Sequence, residues 1–198
     1  MLRTVSFAAL AAACAVFAGL AHAQDSGGAA SADAAKAEAV AAIGELAGRL
    51  KEYLGAAIKE QGAVGAVAAC KQIAPEAAAS AGEAHTLTIR RTALKLRNPA
   101  NAPDAFEARV LASFVEKAAA GADVNTLAHG EIVDTEAGKA FRFMKAIPMA
   151  EQPCSACHGG DLKRDVAAKI REIYPQDQAT GFKPGEIRGA FSVTKPLR

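Results

Sequence analysis

The chain is short of several things, and each shortage removes a class of function. It has almost no surplus charge: 23 Lys and Arg stand against 21 Asp and Glu, a net charge of +2. No cluster of basic residues stands apart, so the footprint of a nucleic-acid or anionic-membrane binder is missing. Beyond the N-terminus no apolar run is long enough to span a bilayer. Histidine is scarce, with four in 198 residues. Neither His85 nor His129 sits in a pattern that would give a peroxidase-like enzyme its acid–base group, so the chain reads as a non-enzyme. Cysteine is equally scarce, again four. No second Cys/His pair follows at zinc spacing, and no βαβ pattern surrounds the C-x-x-C, which argues against a zinc site and a dithiol redox centre.

What is present is concentrated in Cys154-Ser155-Ala156-Cys157-His158. This is C-x-x-C-H, the attachment signature of a c-type haem. Two thiols three residues apart lie on one side of a helical turn and can form thioethers with the two porphyrin vinyls. The histidine that follows then lies under the iron as the proximal ligand. A structural disulfide would close only a short loop and contribute little chain entropy. One covalent haem c per chain is expected, held by Cys154, Cys157 and His158.

The N-terminus reads as an export signal. Arg3 is the positive region, Val5 to Leu20 the apolar region, and Ala21-His22-Ala23 an A-x-A cleavage site. Cys14 follows three alanines and faintly resembles a lipoprotein site, but cutting there would leave a very short apolar region and an apolar tail. The reading is therefore a signal peptide over 1–23, a disordered leader over 24–32, and one domain over 33–198, exported to the periplasm. Of the three remaining cysteines, Cys70 is the one that haem attachment leaves over, in an oxidising compartment.

Along the domain, an apolar repeat near 3.6 from Val40 to Ile58 predicts a long helix over about 33–61, broken at Gln61-Gly62. A second helix over 63–74 carries Val67, Cys70 and Ala74 on one face; Pro75 is expected to end it and to open a short helix through Ala81. A strand is expected over 85–92. Asp104 and Glu107 form a capping box for a helix bearing Phe106, Val110 and Phe114. A hairpin follows, 131–134 and 139–147, then the motif, a helix over 163–174 and a last strand over 187–194 with Ile187, Phe191 and Val193 on one face. Helices around a hairpin and a closing strand predict an α+β domain with an antiparallel sheet.

The residues alone leave the second iron ligand open among Cys70, Met144, Met149, His85 and His129. Cysteine on an apolar helix face is often a small buried hydrophobe, and methionine is the usual partner in electron-carrying cytochromes. Arg90, Arg91, Lys95 and Arg97 are candidates to pair with haem propionates, Arg90 and Arg97 foremost.

The chain resembles a family of exported single-haem c-type proteins of unassigned role with a PAS-like fold. The resemblance is carried by Arg90 to Asp104, Cys154 to Gly159, Ile173 to Phe182, Gly185 to Val193 and the helix holding Cys70. It implies a central antiparallel sheet flanked by helices, a long N-terminal helix, and an axial pair of His158 and Cys70. It further implies redox or diatomic-gas sensing, with output through a redox or signalling partner protein. The alternative is a periplasmic electron carrier with His/Met ligation.

Overall fold

The structure, a computed structural model, describes residues 26–197. The expected signal segment, Cys14 included, lies outside the described residues, as do the first two residues of the leader. The rest of that leader, 26–32, is helical: helix α1 runs Ser26–His85. The stretch is rich in alanine, the strongest helix former, and the alanines that follow, Ala35 and Ala39, are buried against the sheet.

α1 is two arms folded at Gly62, whose φ of 67° and ψ of −178° suit glycine alone. The arms, 26–61 and 63–85, run back on one another. Arg49 Nη1 donates to Ser80 Oγ at 2.9 Å, and His85 Nε2 meets Glu45 Oε2 at 3.1 Å. Pro75 does not end the second arm, contrary to the sequence expectation; it sits inside the helix. An interior proline costs about 3 kcal/mol. Ala74, Ala77 and Ala81 on either side are buried, and that packing holds the helix through it. The helix therefore persists to His85, and strand β1 starts later than expected, at Thr88–Thr92.

Helix α2 (Ala105–Ala119) begins at the expected capping box: Glu107 N–H donates to Asp104 at 2.8 Å and Asp104 N–H to Glu107 at 3.0 Å. Strands β2 (Ala128–Thr135) and β3 (Gly138–Pro148) form the hairpin, longer than its alternation suggested. The short helix α3 (Ser155–His158) is the motif itself, followed by α4 (Arg164–Ile173) and β4 (Ile187–Pro196). The four strands make one antiparallel sheet in the order β1-β4-β3-β2. The fold is thus the expected α+β: an antiparallel sheet flanked by helices with a long N-terminal helix. None of the described helices is long and apolar enough to cross a membrane.

The two faces of the sheet are covered by different elements. α1 packs Ala39, Ile43, Leu46 and Ala81 on Ile89, Phe141, Phe143 and Val193. α2 packs Val110, Leu111 and Phe114 on Met144, Ala146 and Ala190. One register detail positions the site. Ala190 pairs with Ala146 and Gly189 with Ile147, but Pro148 then pairs with Ile187, so Arg188 is an extra residue in a bulge. The bulge moves Ile187 to the α2 cluster rather than to the face of Phe191 and Val193 where strict alternation would put it. Gly189 is needed beside it, because a Cβ there would lie 2.4 Å from the Thr92 carbonyl oxygen.

Candidate cofactor site

The C-x-x-C-H turn is built by backbone bonds from its own start. Cys157 and His158 N–H groups both donate to Cys154 O, at 3.1 and 2.9 Å. The carbonyls it leaves over are taken by distant segments. Phe182 N–H donates to His158 O (3.0 Å), Gly181 N–H to Gly159 O (2.9 Å), and Arg97 Nη2 to Cys157 O (2.6 Å). The loop after α4 and the loop after β1 thus clamp the turn from two sides. The sulfurs of Cys154 and Cys157 are both free thiols.

Arg97 is the bolt of this arrangement. Its Nε reaches Asp177 Oδ1 at 3.0 Å, and its Nη2 also donates to Ala179 O at 3.1 Å. Both partners of the pair are shielded, with side chains 12% and 8% exposed. Asp177 in turn accepts from Ala179 N–H at 3.0 Å, so the loop is fixed by one carboxylate.

His158 is oriented by the same loop. Its Nδ1 lies 2.7 Å from Ala179 O and 3.1 Å from Arg188 Nε. A carbonyl can only accept, so the shorter contact places the ring proton on Nδ1 and leaves the Nε2 lone pair for a metal. Burial, with Arg188 and then Arg97 nearby, pushes the His158 pKa down to about 2, so the imidazole is neutral at ordinary pH. That is the form in which histidine ligates.

Cys70 comes to the motif on the second arm of α1. One turn earlier, Val67 packs in a cluster with Cys157, Val166, Ile170 and Tyr174. The Cys70 and Cys157 sulfurs lie close enough to raise the pKa of the latter, after the larger effect of burial. Cys70 itself is pushed up by partial burial, against the pull of Arg91 and Arg97. Val67 and Ala74 on its face are buried as expected, but Cys70 is exposed, beside a crevice lined by Leu50, Tyr53 and Leu54 of the first arm.

The rival ligand candidates lie elsewhere or are committed. Met144 is buried under α2. His85 pairs with Glu45 at the open end of the helical hairpin, and His129 with Glu131 beside Phe106. Met149 is near the motif, but it is buried among Ala179 and Phe182 with Cys154 at the edge. Of the two foremost propionate candidates, Arg97 is spent on Asp177 and the carbonyls of Cys157 and Ala179. Arg90 points to the α2 face, donating to Ala100 O and Ala102 O at 3.2 and 2.8 Å. The residue that sequence reasoning missed is Arg188. Its only signal was a charged residue inside an otherwise apolar closing strand, and the bulge that aims it at His158 is invisible in a sequence.

Fold and site together define a class: an α+β domain in which a C-x-x-C-H turn at the end of an antiparallel sheet is covered by a kinked helical hairpin. The chain belongs to the Tll0287-like family, whose model matches residues 25–196. Among solved structures it is similar to the cyanobacterial heme-protein Tll0287, with 29% identity, a TM-score of 0.52, and coverage of 65% of this chain and 71% of that one. No curated protein matches it.

Proposed function

We propose that the protein is an exported c-type haem protein, with thioethers from Cys154 and Cys157, His158 as the proximal iron ligand and Cys70 as the second. The observation that carries this reading is the bond from His158 Nδ1 to Ala179 O at 2.7 Å. It fixes a neutral imidazole with its Nε2 lone pair free, directly after two free thiols on one helical turn. The donor set fits haem and fits little else: among the described residues no cluster of His, Cys, Asp and Glu could hold a bare metal ion. Membership of the Tll0287-like family and the likeness to a cyanobacterial heme-protein support it.

Bound haem would supply a one-electron centre and a place for a small ligand on the iron. This chain's own residues do the rest. Arg97 and Asp177 lock the turn to the loop at 177–182, and Ala179 O sets the tautomer and plane of His158. The second helical arm brings Cys70 to the motif. A thiolate ligand that gives way to a diatomic gas or to reduction suits a redox or gas sensing role in the periplasm, answered by a partner protein. Cys70 is exposed on the second arm, whereas Met149 is buried with Ala179 and Phe182; that contrast favours sensing over the His/Met electron carrier.

The test is the holoprotein and its Cys70→Ala variant. Haem should stay attached through acidic acetone in both. The ferric absorption and EPR spectra should change from low-spin to high-spin or water-bound in the variant, and its potential should rise. An unchanged low-spin spectrum would make Cys70 a bystander and return the electron-carrier reading with Met149.

A further inference from the structure

Three guanidinium groups converge on the motif, and one carboxylate answers them. Arg97 takes that carboxylate, Asp177. Arg91 and Arg188 are left. Arg91 stands on the α1 face of edge strand β1, opposite Phe191, and makes no ion pair or side-chain hydrogen bond among the described residues. It lies near the sulfur of Cys70 and the hydroxyl of Tyr174. Arg188 lies over the Phe182 ring, 5.4 Å from its centroid, and against His158. Because Ala179 O claims the proton of His158 Nδ1, that nitrogen has no lone pair to offer the Arg188 Nε–H. The guanidinium keeps one long contact, Nη1 to Lys95 O at 3.4 Å, for its five N–H donors.

A half-buried, unpaired guanidinium is costly, because it loses part of its hydration and no counter-ion offsets that loss. Arg91 and Arg188 are both half-buried, and neither makes an ion pair among the described residues. Two cations without anions call for two anions. Guanidinium matches a carboxylate in a bidentate fork.

Resting on the haem reading above, we propose that Arg91 and Arg188 are the propionate-binding residues of this protein, in place of Arg90 and Arg97. A haem carries two propionates, one for each unpaired guanidinium. The β4 bulge and Gly189 then have a purpose, since they aim Arg188 into the site. Arg97 is a positioning residue for the motif rather than a ligand for the cofactor.

The experiment uses the holoprotein and the variants Arg91→Gln, Arg188→Gln, their combination, and Arg90→Gln as the control on the opposite face. The reduction potential is followed against pH, and the propionate bending band is recorded by resonance Raman. A guanidinium beside a carboxylate lowers its pKa by about one to three units. The bend in potential that marks propionate ionisation should therefore move up by at least about one pH unit in the double variant, and by less in each single one. The propionate band should shift as well. Arg90→Gln should leave both where they are, and Arg188→Lys, which keeps the charge but not the fork, should bring the bend and band part of the way back to wild type. If the double variant does not accumulate, the two single variants carry the same test. Wild-type protein without covalent haem would sink the parent reading. Haem-bearing variants whose bend and band coincide with wild type would overturn the propionate assignment alone.

Discussion

Arg90 and Arg91 are neighbours on one strand and belong to opposite worlds. Arg90 faces α2, where Glu107 lies within 3.6 Å of it and 3.5 Å of Arg142, and Asp104 pairs with Arg142 at 2.8 Å. Two cations meet two carboxylates there, and Glu107 is 1% exposed. One nitrogen, Arg142 Nε, is buried without an acceptor, while its guanidinium stacks on Phe106 at 4.3 Å. Arg91 faces α1 and the motif, where three cations meet one carboxylate. The balanced side is a structural network, which ties a helix cap to the sheet. The unbalanced side is what a binding site for an anionic group looks like before the group is counted. Charge of one sign left unanswered in a shielded place is therefore the more informative signal, because folding alone gives no reason to keep it.

The sharpest break of this contrast is Asp177→Asn. It removes the one carboxylate on the unbalanced side and leaves the shielded Arg97 without a counter-ion. Removing one partner of a shielded pair typically costs about 3–5 kcal/mol. The urea midpoint should fall accordingly, and the haem yield with it, since the loop that holds His158 is released.

Acid separates the two sides next. His158 is held far below the ordinary histidine range, down to about 2, by burial and then by Arg188 and Arg97. In the haem-free variant Cys154→Ala/Cys157→Ala, its stabilising effect is complete above the unfolded value of 6.5 and is lost as pH falls below it. The loss should reach about 2 kcal/mol by about pH 5. On the balanced side burial raises the Asp104 pKa, but the Glu107 N–H bond and Arg142 outweigh it and the net shift is downward. That contribution is present above 3.8 and fades only as pH falls through the lower folded value. Adding His158→Gln should flatten the upper part of the stability–pH curve and leave the lower part intact. A curve that is flat from about pH 7 to 5 before that change would refute the assignment.

Glu107→Gln tests the balanced network directly. It keeps an oxygen for the Asp104 N–H but removes the charge from between two guanidinium groups. The expected loss is about 1–3 kcal/mol by denaturant unfolding, with no change in haem attachment.

How much of this could be read beforehand follows the range of the interactions. The C-x-x-C-H turn, the Gly62 break, the Asp104 capping box and the hairpin are local, and each was legible in a few consecutive residues. Pro75 was misread because proline is a local rule overruled by distant packing: Ala74, Ala77 and Ala81 lie against the core whether or not one helical bond is lost. The strand at 85–92 was drawn too long because His85 is held in the helix region by Glu45, forty residues away. Which of the candidate arginines face the motif was not legible. Alternation along β1 separates Arg90 from Arg91 but does not say which face is which, and Arg188 depends on a bulge set by pairing with β3. Cys70 on its helix face was legible. That it stands exposed beside a crevice between the two arms needed the hairpin.

The smallest expected effect is the most direct comparison of the two neighbours. Arg90 is 36% exposed at its side chain and its carboxylate contact is loose, so Arg90→Gln should cost no more than about 1 kcal/mol. Its sign is nevertheless clear, because the change removes a favourable partner of Glu107 and two carbonyl acceptors' donor. Arg91→Gln, made in the haem-free variant, removes a cation that faces Arg97 and Arg188 and has no anion of its own. It should therefore leave the urea midpoint unchanged or raise it slightly, again within about 1 kcal/mol. In the holoprotein the order should invert: Arg90→Gln keeps its small cost, while Arg91→Gln becomes the more damaging of the two because an anion is now present to be lost. Two midpoints in each of two backgrounds decide it. If Arg91→Gln lowers the midpoint of the haem-free chain as much as Arg90→Gln does, Arg91 has a protein partner, and the two faces of the strand differ in nothing that matters for a cofactor.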